Sequence, residues 1–168
     1  MMVFWKHGVK PMLVLFVLGL VMVGAVTARA DTEFSPKIKN AMTAMKENAA
    51  KLGVPKIDGS SLFFGTTKIN DNYGLVDALK SSFGCVATFF VKKGDAFVRI
   101  STNVMKDGKR AVGTPLDPSG PAIAAIRQGK AYYGIVDILG KLYDTGYEPI
   151  KNANGENIGI YFIGYPME

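Results

Sequence analysis

The chain carries one cysteine and one histidine in 168 residues. With Cys85 alone, an intrachain disulfide and a thiolate-rich metal site are both excluded. His7 lies near the start, so no imidazole is available as a base or metal ligand from residue 31 onward. No serine stands in a nucleophile elbow, and glycine-rich phosphate loops are missing. Asp71, Asp77, Asp137 and Glu148 are scattered rather than paired for acid–base work. The expectation is a binding protein, not an enzyme, with no cofactor and no metal. Cys85 itself heads an apolar run, residues 85–91, and reads as a buried structural thiol. Lysines and arginines are mixed with acids and not interleaved with aromatics, so nucleic acid is not an expected partner.

A long hydrophobic run occurs once, over residues 12–26. Fifteen residues fall short of the roughly 18 that make a comfortable membrane span. Lys6, His7 and Lys10 accompany its start, and Ala28-Arg29-Ala30 follows before the polar Asp31-Thr32-Glu33. Basic, apolar and small-residue parts in that order form a secretory signal peptide. The expected organisation is a signal peptide at 1–30 cleaved after Ala30, a helix and linker at 31–59, and the main domain at 60–168. The product is periplasmic or secreted, or membrane-anchored if Ala30 is not processed. Residues 1–30 contain Lys6, Lys10 and Arg29 and no acid, so the formal charge falls from +6 to +3 on their removal. That modest positive bias suits a small anionic ligand.

In the remaining chain a helix opens at Ser35-Pro36. Phe34, Ile38, Met42, Met45, Ala49 and Leu52 form its apolar stripe, and Gly53 and Pro55 stop it. A short strand at 62–65 and a helix at 73–83 follow. Strands at 85–91 and 96–104 form a hairpin around Lys92-Lys93-Gly94-Asp95. A short helix at 122–128 precedes strands at 131–138, 141–150 and 157–165. Hairpin-short connections make the sheet antiparallel. The predicted fold is α+β and PAS-like. It has a central antiparallel sheet of about five strands, a long N-terminal helix on one face, and short helices and loops on the other.

Four segments carry a family resemblance. Phe97-Val98-Arg99-Ile100-Ser101-Thr102-Asn103 is followed by Arg110-Ala111-Val112-Gly113-Thr114-Pro115-Leu116-Asp117. Then come Tyr133-Gly134-Ile135-Val136-Asp137-Ile138-Leu139-Gly140-Lys141 and Tyr147-Glu148-Pro149-Ile150. Over about residues 60–166 this ordered set resembles the single Cache sensor domains of the Cache 3/Cache 2 fusion type, found in bacterial chemoreceptors and sensor kinases. The resemblance implies extracytoplasmic recognition of a small molecule, an organic acid or another polar metabolite, in chemotaxis or signal transduction. The sequence shows no second apolar span, no coiled-coil heptads and no transmitter region. The expected partner is then a separate membrane receptor or sensor kinase, with a homodimer through the N-terminal helix as a further expectation. Two alternatives stay open: a protein-interaction module without ligand, and a truncated chemoreceptor fragment.

A ligand site needs an apolar cavity with a few convergent polar groups. Alternation along 97–104 puts Phe97, Arg99, Ser101 and Asn103 on one face. Arg99 would grip a carboxylate through two parallel hydrogen bonds; the competing reading is a rim arginine paired with Asp95 or Asp137. Tyr143, Thr145 and Tyr147 share a face of the next-to-last strand, and Tyr133 begins the strand before it. Their hydroxyls suit a polar ligand, or their rings simply pack in the core. Thr114 would reach in from the closing loop. The helix start at 117–121 could attract an anion, although capping of that helix is the preferred reading of Asp117 and Ser119.

Overall fold

Ile38, Ala41, Met42, Met45 and Ala49 are all buried along one stripe of the first helix, α1 (Ser35–Ala50), as a 3.6-residue period requires. The computed structural model describes residues 35–167; the expected signal peptide, its expected cleavage point and Phe34 of the stripe lie outside them. Beyond α1 the chain folds back tightly. Gly65, at φ 59°, sits where a Cβ would come within 2.2 Å of the Leu52 carbonyl oxygen, so only glycine fits.

Three short strands, β1 (Pro55–Asp58), β2 (Ser61–Phe64) and β3 (Thr67–Lys68), then form a small antiparallel sheet in chain order. Helix α2 (Gly74–Phe83) ends at Gly84, whose left-handed conformation lets its N–H reach the Lys80 carbonyl. Strands β4 (Val86–Lys93) and β5 (Ala96–Thr102) make the expected hairpin. A minor hairpin, β6 (Met105–Lys106) and β7 (Lys109–Arg110), leads to helix α3 (Pro121–Arg127). Strands β8 (Tyr132–Ile138), β9 (Lys141–Lys151) and β10 (Asn157–Pro166) complete the chain. The main sheet has the order β5-β4-β10-β9-β8, and every pairing in it is antiparallel. Among the described residues the fold is therefore α+β, with three helices and a five-stranded antiparallel sheet.

The sheet divides two cores. Ala87, Phe89, Val91, Tyr161 and Ile163 pack against α1, α2 and β2 on the first face. Phe90, Phe97, Tyr147, Ile160 and Phe162 pack against α3 and the 104–116 segment on the second. β10 lies centrally and is buried from Ile158 to Tyr165, which its uncharged sequence allows.

Three expectations are corrected. Helix α2 sits beside α1, not opposite it, because Val76 and Leu79 join the first core. The small sheet of β1–β3 extends the single strand read at 62–65; its exposed and polar residues gave no apolar run to read. The alternation read along 97–104 is broken by a β-bulge: Arg99 opposes Phe90 while Ser101 opposes Phe89, leaving Ile100 as the extra residue. Phe97 and Arg99 therefore face the second core, and Ile100 joins the first. No helix among the described residues is long and apolar enough to cross a membrane.

Candidate functional site

The second face of the sheet gathers the polar residues that no structural partner fully occupies. β5 is the sheet's edge strand, but residues 113–116 run along its free side. Arg99 N–H donates to the Thr114 carbonyl at 3.0 Å, Gly113 N–H to the Arg99 carbonyl at 2.8 Å, and Leu116 N–H to the Phe97 carbonyl at 2.8 Å. This strap turns what would be a rim arginine into a buried one, 5% exposed.

The Arg99 guanidinium lies 4.9 Å above the centre of the Phe90 ring. Its Nη1 donates to Thr114 Oγ1 at 2.8 Å and to the Pro115 carbonyl at 3.3 Å. Its Nε is buried with no hydrogen-bond partner among the described residues. The ion pairs among the described residues are Lys46–Glu148 and Arg110–Asp77; neither Asp95 nor Asp137 meets Arg99. Burial lowers the Arg99 pKa, opposed in part by Tyr147.

Tyr147 is the second unmet group. It is fully buried, and its hydroxyl has no hydrogen-bond partner among the described residues. Burial pushes its pKa far up, with the Arg99 charge pulling the other way, which places the two within electrostatic reach. Its ring packs 4.8 Å from Phe162 and 6.2 Å from Tyr132. In the register of the sheet, Tyr147 opposes Phe162, Phe162 opposes Thr88, and Thr88 opposes Thr102. The Thr88 and Thr102 hydroxyls bond each other at 2.6 Å and floor the same row. A cavity of about 260 Å³ opens beside α3, walled by Pro115, Leu116 and Ile123. Pro115 is also the residue whose carbonyl Arg99 holds.

The structure sorts the expected site residues into two groups. Arg99, Thr114, Tyr143, Thr145 and Tyr147 belong to the second face. Tyr143 packs at the margin of its core, and the Thr145 hydroxyl donates to the Gly134 carbonyl, tying β9 to β8. Ser101, Asn103 and Tyr133 lie on the first face. Ser101 Oγ donates to the Asn72 carbonyl at 2.6 Å. The Asn103 side chain accepts from Ala87 N–H at 2.7 Å and donates to the Val76 carbonyl at 2.6 Å. Tyr133 donates to Glu148 Oε1 at 2.5 Å. The bulge at Ile100 explains the first two, and the register of Tyr133 against Gly146 explains the third.

Phe90, Tyr132, Thr88 and Thr102 belong to the second face without having been singled out. The alternation of β4 signals two of them, since Thr88 and Phe90 share a face. Tyr132 was hidden by its neighbour Tyr133, because a one-residue change of phase exchanges the two faces.

At the other expected anion site, the N-cap of α3 is Gly120 and no side chain caps it. Asp117 Oδ1 instead accepts from Ser119 N–H at 2.9 Å and Ser119 Oγ at 2.7 Å, which corrects both as caps. Those bonds hold the Asp117 pKa down. Arg110 makes two bonds to the Asp77 carboxylate, at 2.8 and 2.9 Å, and covers the Tyr73 ring at 4.3 Å. It ties β7 to α2 and raises no claim to a ligand.

Comparison with known proteins adds two findings. Among curated proteins, none matches the chain. The profile of the Cache 3/Cache 2 fusion domain matches residues 25–168, a longer stretch than the motifs alone mark. Cache domains are extracytoplasmic sensory domains that bind small molecules. With that match spanning most of its length, the chain belongs to the Cache 3/Cache 2 fusion domain family.

Proposed function

We propose that this protein is an exported sensory domain that captures a small carboxylate on the second face of its sheet, with Arg99 as the anchor. The observation that carries the reading is the Arg99 guanidinium, 5% exposed, with no acid paired to it and its Nε unmet among the described residues. A buried charge without a counter-ion costs several kcal/mol, and an unmet buried polar atom asks for an occupant. Because Nη1 is engaged by the strap, the Nε–Nη2 side is left for a carboxylate held by two parallel bonds. The Tyr147 hydroxyl can donate to the same anion. Apolar rings around it favour a small ligand with little further polarity. The strand order of the main sheet supports the PAS-like reading of the fold.

Export is part of the proposal. The signal-type pattern of residues 1–30 supports it, as does the family's extracytoplasmic setting. Thr114 and the strap would close on the ligand, with the cavity beside Pro115 as its way in.

Calorimetric titration of protein refolded without ligand tests the carboxylate. Sodium acetate, propionate, pyruvate and malate serve as probes. The expected result is saturable binding of at least one, reduced 100-fold or more in Arg99→Met, since a charge-assisted pair is at stake (about 3 kcal/mol). Binding that survives in Arg99→Met would move the site elsewhere. No heat from any of the four would remove the carboxylate.

A further inference from the structure

The residues behind the site form a second polar link, on the opposite face of the same two strands. Tyr147 looks into the second core, and Glu148, one residue on, looks toward α1. Adjacent residues of a strand point to opposite faces, so neither can shift without the other. The neighbouring strand repeats the arrangement. Tyr132 packs on Tyr147, and Tyr133 donates to Glu148 Oε1 at 2.5 Å. Lys46, from α1, donates to the other carboxylate oxygen, Oε2, at 2.6 Å. One carboxylate thus joins three elements: β8, β9 and α1.

The packing around this link leaves no slack. At Gly146 a Cβ would meet Ile38 Cγ2 of α1 and Tyr133 Cε1, both at 2.8 Å. Helix and sheet therefore touch through the missing side chain, and a displacement of β9 is passed on rather than absorbed.

We propose that Glu148 is a positioning residue that couples the ligand-facing side of the sheet to α1, so that movement of Tyr147 is read out as a change in how α1 is held. The proposal rests on the functional reading above only for the identity of the trigger. The coupling is a property of the fold.

Native-state hydrogen exchange in four proteins tests it: the unaltered chain, Tyr147→Leu, Glu148→Gln and the double variant. The readout is the exchange of α1 amides relative to those of α2, which packs on the same face, whereas the hydrogen bonds of Glu148 run to Lys46 and Tyr133. This ratio cancels a merely global loss of stability. Glu148→Gln keeps an acceptor for Tyr133 but weakens the grip on Lys46. In the otherwise unaltered chain Tyr147→Leu should speed α1 exchange at least about threefold relative to α2; in the Glu148→Gln background it should add nothing. Equal effects of Tyr147→Leu in both backgrounds, or equal changes in α1 and α2, would overturn the coupling. Lys46→Met breaks the same link from the helix side and stands in if Glu148→Gln does not fold. Sodium propionate added to the unaltered chain reports the trigger separately. If it does not bind, the carboxylate reading suffers while the four-protein comparison still decides the coupling.

Discussion

Arg99 is held where a structural residue would be cheaper. Its guanidinium is buried over the Phe90 ring, and its charge has no ion-pair partner among the described residues. A methionine of similar length would fill the same space with no charge to desolvate. It would give up the bonds to Thr114 and Pro115, worth about 1–2 kcal/mol. The net expectation for Arg99→Met is a ligand-free protein stabilised by about 1–2 kcal/mol and blind to carboxylates. Urea unfolding of the two proteins checks it; a variant markedly less stable than the parent would mean that the arginine is there for the fold. Cys85 is the contrasting residue, unexposed, with its Sγ toward the Leu79 carbonyl at 3.7 Å. Burial pushes its thiol up to about 11 from an ordinary value of 9.0. The folded state keeps that proton while the unfolded chain loses it, so stability falls as pH rises from about 9 to about 11. Tyr133, Tyr147, Tyr161 and Tyr165, also raised, start from 10.0. Between pH 9 and 10 the thiol should contribute about 1 kcal/mol of the decline, with the tyrosines adding their own share. Cys85→Ser should reduce the decline by that amount in urea titrations at those two pH values.

At the scale of elements, the join of α2 to the sheet depends on Asn103. One side chain satisfies the Ala87 N–H of β4's strand and the Val76 carbonyl of α2, both buried. Asn103→Ala leaves those two groups unmet and should cost about 2–4 kcal/mol. Asn103→Asp keeps the acceptor and loses the donor, so it should fall between. Chemical denaturation ranks the three, and an alanine variant as stable as the parent would show that water replaces the amide without loss. Asn103 also shows where the sequence stopped being legible. The strands of the main sheet, the glycine-closed α2 and the hairpin turns were readable, because apolar periodicity and glycine placement are local properties. The face of a strand is local only while the ladder is regular. One bulged residue, Ile100, sent Ser101 and Asn103 to the helix side, and nothing in the composition of 97–104 announces it. Arg99, Thr114 and Tyr147 lie on the candidate face because they fall before the bulge, on the strap or on a regular strand. Tyr133 was misread for phase alone, and in compensation it exposes the Glu148 link. The side taken by α2 was not legible either, since helix placement depends on which face the long α1 leaves uncovered.

At the scale of the whole molecule, the charge and the hydrophobicity are unevenly shared. Half of the formal +6 is carried by Lys6, Lys10 and Arg29, in the same thirty residues that hold the fifteen-residue apolar run. The remaining +3 is spread over a domain whose main sheet is covered on both faces. A segment that concentrates charge and apolar length in this way suits a translocation machinery rather than a core. In the proposed function Arg99 meets its carboxylate outside the cytoplasm, so the export and binding proposals stand together. Expressed in a bacterial host with an intact export pathway, the 18.1 kDa chain should appear in the periplasmic fraction, shortened to an N-terminus at Asp31. Cleavage needs small side chains before the cut, so Ala30→Arg should leave the full-length chain in the membrane fraction. N-terminal sequencing and intact mass decide between the outcomes. An unaltered chain that stays full-length and membrane-bound would make residues 12–26 an anchor.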